Sequence, residues 1–284
     1  MKPIKEATLI VCSIVRNAEK GLRNNIPVID ELCKYFKDYR IIVYENNSID
    51  KTKEILRKWH NKDTSRIHIC IEDTDSSNTI PKAKEVTTNP FFSFHRIAKM
   101  AKLRNKYMEY IDQQSWDADY MIVVDLDVAQ LKLDSILSSF SSNKEWDAVT
   151  AYGYSMSPKL RRRYHDTYAL TCWGDEENPQ TENKIKLYAD KFGKLKNDDW
   201  IRVYSAFGGF AIYRFEAIKG LRYKVIQNHD ERVEVKCEHF SIYNQMIERG
   251  YNRFYINPQM DLKYQALSLK IIYNSFLRMI NRFV

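Results

Sequence analysis

Three observations predict an α/β protein with an open, mostly parallel sheet flanked by helices. Short apolar runs bounded by polar residues recur along the chain, each of a length that suits a buried parallel strand. Segments with apolar residues at helical spacing separate them, the rhythm of right-handed strand-helix-strand crossovers. The fourth apolar run, Tyr120 to Val124, ends abruptly in Asp125-Leu126-Asp127, at the carboxyl end of a strand, where such sheets collect ligands.

Thr8 to Val15 reads as the first strand. A helix from about Leu22 to Phe36 follows, with Leu22, Ile26, Ile29, Leu32, Cys33 and Phe36 on one face. Arg40 to Tyr44 is a second strand that stops at the turn-forming cluster Glu45-Asn46-Asn47-Ser48, and a helix from Lys51 to His60 comes next. Ile67 to Ile71 makes a third strand, Phe94 to Ile111 a helix, Tyr120 to Val124 the fourth strand and Trp146 to Tyr152 a fifth. This half has the layout of a nucleotide-binding fold. From Ser155 to Trp200 apolar periodicity fades, as expected of a lid or binding element. Order returns at Ile201 to Phe207, at Phe210 to Tyr213 after Gly208-Gly209, and in a helix from His239 to Arg249 that Gly250 would stop. Leu262 to Val284 reads as a basic amphipathic helix or helix pair.

The 284 residues suffice for one large α/β domain or two small ones. Apolar stretches fall short of the roughly 18 residues a membrane span needs, and the N-terminus lacks the apolar core of a secretory signal. Five scattered cysteines without paired short spacing point to reduced thiols rather than a zinc site. These features predict a cytoplasmic location. A net charge of +8 favours anionic partners. The basic residues are dispersed and match no nucleic-acid-binding motif, so no nucleic acid is expected.

Side chains two apart on an extended segment face the same way, so Asp125 and Asp127 address one target. Paired carboxylates suit Mn2+ or Mg2+, which keep positions open for waters and substrate phosphates. A strand-terminal pair that caps the next helix would look the same. Glu45, ending the second strand, has a carboxylate that accepts hydrogen bonds from the N–H groups of a base, or serves its turn. Arg104 precedes the acidic strand, where a guanidinium pairs with a diphosphate or orients the acids. Gly208 and Gly209 fit a place of close backbone approach. Glu238 is a candidate base for a hydroxyl proton, and His239 a candidate metal ligand or phosphate partner; both also suit a helix N-terminus.

Taken in order, these segments resemble the GT-A glycosyltransferases. Ile41 to Thr52 resembles their second-strand signature, Leu103-Arg104-Asn105 their Ala-Arg-Asn element, and Ala206 to Phe210 the glycine pair before their acceptor site. Tyr164-His165-Asp166-Thr167-Tyr168-Ala169-Leu170, with Asp147 to Tyr152 before it and Cys237-Glu238-His239 after it, is similar to the fungal capsule-associated mannosyltransferase family. His165 departs from that family's usual aromatic residue. The resemblance implies a Rossmann-like nucleotide-sugar half (1–154) fused to an acceptor half (155–260) in one catalytic domain, followed by a tail (261–284). It implies a nucleotide-diphosphate-sugar donor, GDP- or UDP-linked with GDP-mannose in view, and a glycan or glycolipid acceptor hydroxyl. Glu45, Arg16, Arg104, Asp125, Gly208 and Gly209 would hold the donor; Asp125, Asp127 and His239 the metal. Glu238 and Asp166 would be catalytic, with Asp166 also suited to holding a loop. An in-line base at Glu238 would invert the sugar's configuration; reaction on the leaving-group face would retain it.

Two other classes stay in view. Sugar-nucleotide-forming nucleotidyltransferases share the sheet and the Asp pair, but Ser13 to Ala18 contains none of the glycines of their phosphate loop. A non-catalytic sugar-nucleotide-binding protein would keep the binding residues. The basic tail is a candidate peripheral membrane contact, or it packs on the domain.

Overall fold

The computed structural model describes residues 2–73, 89–157, 161–192 and 199–265, together with Tyr273. In chain order its first half contains β1 (Thr8–Val15), α1 (Glu19–Cys33), β2 (Asp38–Glu45), α2 (Thr52–His60), β3 (Ile67–Ile71), α3 (Phe94–Gln113), β4 (Tyr120–Val124) and α4 (Leu133–Leu137). The second contains β5 (Ala148–Met156), β6 (Arg162–Tyr164), α5 (Glu182–Lys191), β7 (Ile201–Arg202), β8 (Phe210–Arg214), α6 (Phe215–Ile218), α7 (Glu238–Glu248) and β9 (Phe254–Lys263).

One sheet of order β3-β2-β1-β4-β8-β5-β9-β7 spans both halves, with β6 added to β5. β1 to β4 are parallel, as are β5 and β9. β6, β7 and β8 run against their neighbours. The mostly parallel α/β sheet expected from the sequence is therefore present. Side-chain alternation divides the core: Ile10, Cys12 and Met121 pack with α3, α6 and α7, while Leu9, Val11 and Ile122 pack with α1, α2 and α4. All five β4 side chains are buried, at about 1.5–3 kcal/mol for each large apolar group. The strand that carries the acidic pair is thus a rigid support.

Differences from the sequence reading have local causes. α1 starts before Leu22 because Thr52 Oγ1 accepts from Ala18 N at 2.8 Å and Asp50 Oδ2 from Glu19 N at 3.1 Å, caps supplied by a distant turn. The Ser155 to Trp200 segment includes β6 and α5; its residues 158–160 and 193–198 lie outside the described residues. Of the ordered stretch expected at Ile201 to Phe207, only Ile201–Arg202 is strand. α7 ends at Glu248, and Gly250 takes φ 89° just beyond it, as a C-terminal stop requires. The expected tail helix does not begin at Leu262. Leu262 and Lys263 pair with Gly153 and Tyr154 as the end of β9, a strand whose alternation Pro258 and a register shift opposite Ala151 and Tyr152 conceal. Apart from Tyr273, residues 266–284 lie outside the described residues, and with them nearly all of the candidate membrane contact. Among the described residues no helix is long and apolar enough to cross a membrane. All five cysteines are free thiols.

Candidate active site

The carboxyl ends of β1, β2 and β4, the start of β8, the end of β9 and the N-terminus of α7 meet along one sheet edge. A cavity of about 320 Å³ opens there, lined by the acids Asp125, Asp127, Asp166 and Glu238 and by the cations Arg16, Lys99, Arg96 and Arg104, with His95 beside them.

The acidic turn is held on every side. Ser13 Oγ donates to Val124 O at 2.7 Å, and Asp125 N donates to Gly209 O at 2.9 Å. α1 packs against the turn so closely that a Cβ on Gly21 would lie 2.4 Å from Leu126 O. Asn25, fully buried, donates through Nδ2 to Leu126 O at 3.1 Å and Val128 O at 2.7 Å, while its Oδ1 accepts from Leu131 N at 2.9 Å. Neither Gly21 nor Asn25 stood out in the sequence reading. The signal was there: Asn25 is a polar residue inside the apolar stripe of Leu22, Ile29 and Leu32.

Arg104 ties the two halves together. Its Nε donates to Glu238 Oε1 at 3.0 Å, and its Nη2 lies 3.5 Å from Asp125 Oδ1. The guanidinium is buried over the Phe207 ring, 4.9 Å from its centroid. Of its two expected roles, the geometry supports orientation of the acids. Burial opposes charge on Glu238, yet the charges beside it hold the carboxyl below its ordinary value. Because burial and Arg104 together keep His239 far below its ordinary value and uncharged, we assign the effect on Glu238 to Arg104.

His239 is buried and stacked on Phe207, with ring centroids 4.0 Å apart. Its neutral ring is not the cation that binding phosphate by charge would need. Both ring nitrogens lack a hydrogen-bond partner among the described residues. Among those residues no group of three or more His, Cys, Asp or Glu is placed to hold a metal ion. The expected shell of Asp125, Asp127 and His239 is therefore not gathered among the described residues, and the acidic pair is what remains of it as a candidate.

The pair itself fits a hard divalent cation. Burial pushes Asp125 up to about 7, against the pull of Arg104 and aided by Asp127. Asp127 is raised too, by the surrounding protein, although its side chain reaches solvent. Two carboxylates that resist ionising together gain from a shared cation, whose other positions are open to waters and phosphate oxygens. Asp166 accepts from Gly208 N at 3.0 Å, and burial lifts it to about 6.

Two of the expected donor-binding elements lie off the cavity wall. Glu45 is fully buried beneath its turn, accepting from Ser48 N at 2.7 Å; the residue of that turn on the cavity wall is Asn46. The Gly208-Gly209 turn approaches the surrounding protein closely. A Cβ on Gly208, at φ 67°, would meet Ala151 O at 2.1 Å, and one on Gly209, at φ 85°, would meet the Tyr264 ring at 2.8 Å. The turn acts indirectly, fixing Asp125 through Gly209 O and Asp166 through Gly208 N. Arg16 lines the cavity. His95, Arg96 and Lys99, which line the cavity from the first turns of α3, were missed; His95 and Lys99 share a helical stripe with Leu103, and Arg96 shares one with Met100 and Arg104.

An α/β sheet with an acid pair at its carboxyl edge and a cation-rich cavity beside it is the arrangement expected of the GT-A glycosyltransferases. The chain belongs to the family described as Cryptococcal mannosyltransferase 1, whose sequence model matches residues 8–243. No curated protein matches it in sequence. Among solved structures it is similar to the mannosyltransferase PcManGT from Pyrobaculum calidifontis in complex with GDP-Man and Mn2+, at 11% identity over 98% of this chain and 66% of that one, TM-score 0.49. It is also similar to TarS from S. aureus, at 14% identity over 96% of this chain and 64% of that one, TM-score 0.46. A third is glucosyl-3-phosphoglycerate synthase from Mycobacterium tuberculosis, at 10% identity over 98% of this chain and 78% of that one, TM-score 0.44. The chain spans less than two thirds of the first two proteins.

Proposed function

We propose that the cavity binds a nucleotide diphosphate sugar and transfers its sugar to a hydroxyl of a glycan or glycolipid acceptor, with Mn2+ or Mg2+ required. The family favours mannose from GDP-mannose; UDP-sugars are the other donors to test. The observation that carries this reading is the meeting, in one cavity, of the Asp125-Asp127 turn with Arg16 and the cations of α3.

Arg16, Arg96 and Lys99 suit the diphosphate, because cations lining a cavity attract and orient an anion before any bond breaks. Asp125 and Asp127 would hold the cation. When bound, it supplies positive charge against the negative charge that grows on the departing diphosphate. Asp166 is the carboxyl suited to accepting the acceptor hydroxyl's proton, since its raised proton affinity brings it closer to neutral pH. Glu238, held ionised by Arg104, is a weak base; its role is to anchor the guanidinium that steadies Asp125. The cavity walls of Phe207, Tyr168 and Met100 limit water at the reacting centre.

Purified protein supplied with Mn2+ and a panel of GDP-mannose, UDP-glucose and UDP-galactose is expected to release nucleotide from one of them. Asp127→Ala abolishes that release. Turnover that needs no metal and survives Asp127→Ala would overturn the reading.

A further inference from the structure

We propose that Tyr264 is a positioning residue for Asp125, through which the last strand of the sheet holds the acidic turn ready for its cation. The inference rests on the donor-and-cation reading above and adds a residue that no sequence motif marks.

Tyr264 follows β9 directly, and its backbone is fixed on two sides. Its N–H donates to Tyr154 O at 2.9 Å, and its carbonyl accepts from Ala129 N at 3.1 Å. The first contact ties it to β5, the second to the loop just after Asp127. The ring is fixed as well. It stacks on His165 with centroids 4.0 Å apart and planes 24° apart. The ring also lies against Gly209, where an added Cβ would come within 2.8 Å of Cε2. Glycine at 209 is thus needed for this ring to lie where it does.

So placed, the Tyr264 hydroxyl donates to Asp125 Oδ2 at 2.9 Å, while the other carboxylate oxygen faces Arg104 Nη2 at 3.5 Å. Gly209, under the ring, accepts from the Asp125 backbone N–H at 2.9 Å. Main chain and side chain of Asp125 are therefore set by one assembly of Gly209, Tyr264 and Arg104. Asp127 differs: its exposed carboxylate makes no hydrogen bond or ion pair to another residue's side chain among the described residues. The pair consists of one oriented ligand and one adaptable ligand. A neutral phenol suits the first role, because it fixes the carboxylate while leaving its charge and further lone pairs for a metal.

The test is Mn2+ binding to the purified chain without nucleotide, followed by electron paramagnetic resonance, alongside thermal unfolding in EDTA. Tyr264→Phe keeps the ring and deletes the hydroxyl. It is expected to unfold within about 1 °C of wild type and to bind Mn2+ about tenfold more weakly, at the lower end of the loss typical for partners of metal ligands. Tyr264→Ala removes the ring too and lowers both affinity and unfolding temperature. Unchanged or tighter Mn2+ binding in Tyr264→Phe overturns the proposal and reduces Tyr264 to packing, with the metal reading intact. A wild type that binds no Mn2+ overturns both, and the wild-type titration alone separates that result from the first.

Discussion

The half that runs from β1 to β4 and the half that runs from β5 to β9 share one sheet but are built on different terms. In the first, four adjacent parallel strands follow one another with a helix between each pair, so most contacts join near neighbours in sequence. In the second, β8 enters between β4 and β5, and β9 returns to lie beside β5 across some 100 residues of chain. The first half supplies a rigid acidic edge. The second delivers the side chains that complete it, Asp166, Glu238 and Tyr264, each from a different excursion. The cations and the Asp125-Asp127 pair come from the first half, and their orientation from contacts that only the whole sheet creates.

Arg104 is where the contrast can be broken most severely, since it spans both halves. Arg104→Leu leaves Glu238, almost wholly buried, and Asp125 without their cation. Loss of one partner from a buried pair costs about 3–5 kcal/mol, to be read from the midpoint of urea unfolding. Arg104→Leu combined with Glu238→Leu is expected to recover part of the loss. A single substitution that costs less than about 1 kcal/mol would mean that the halves are not coupled through this residue.

Next comes Asn25, which acts within the first half alone. Asn25→Leu preserves the side chain's size but leaves Leu126 O, Val128 O and Leu131 N without the bonds they now make. Stranding buried polar groups in this way costs about 3 kcal/mol. Because the released loop carries Asp127, Mn2+ affinity should fall together with stability. Stability lost with unchanged metal binding would separate the loop from the site.

These two residues also show what the sequence made legible. β1 and β4 could be placed because strands buried on both faces must be apolar throughout, and β2 and β3, only partly buried toward the sheet edge, still carry short apolar runs that are visible without knowing their partners. Asp125 and Asp127 were visible for the same reason, as polar residues at the margin of such a run, and Arg104 through the likeness of Leu103-Arg104-Asn105 to a known helix element. β9 and Tyr264 were not, since Pro258 and the register shift break the alternation and the strand's partner lies far away in sequence. Glu45 was left with two roles because a carboxylate ending a strand reads alike whether it faces a ligand or accepts from the backbone of its own turn, as its bond from Ser48 N shows it does.

Protonation provides a third test. Asp125 and Asp166 are carboxyls whose folded-state values, about 7 and about 6, lie above the ordinary 3.8. Such groups favour the folded state while protonated, and that contribution is lost as pH rises through the folded value. In EDTA the protein is therefore expected to lose several kcal/mol between about pH 4 and about pH 7. Mn2+ should restore much of it at the alkaline end, where both carboxylates are available as ligands. Asp125→Asn flattens the slope; an unchanged slope would place the titration elsewhere.

The smallest effect separates two neighbours on one turn. Glu45→Gln keeps an oxygen for Ser48 N and removes a charge from a side chain with no exposed surface. It should alter stability by no more than about 1 kcal/mol and leave the KM for donor unchanged. Asn46→Ala, one residue further and on the cavity wall, should raise that KM several-fold while kcat falls less, since it removes a contact to bound donor rather than to reacting atoms. The reverse pattern, with KM following Glu45 and ignoring Asn46, would require the turn to rearrange when donor binds and would return the base contact to Glu45. Both variants retain the Asp125-Asp127 turn, so kcat serves as the internal control: a fall in kcat common to the two would report a disturbed β2 edge instead of a lost contact.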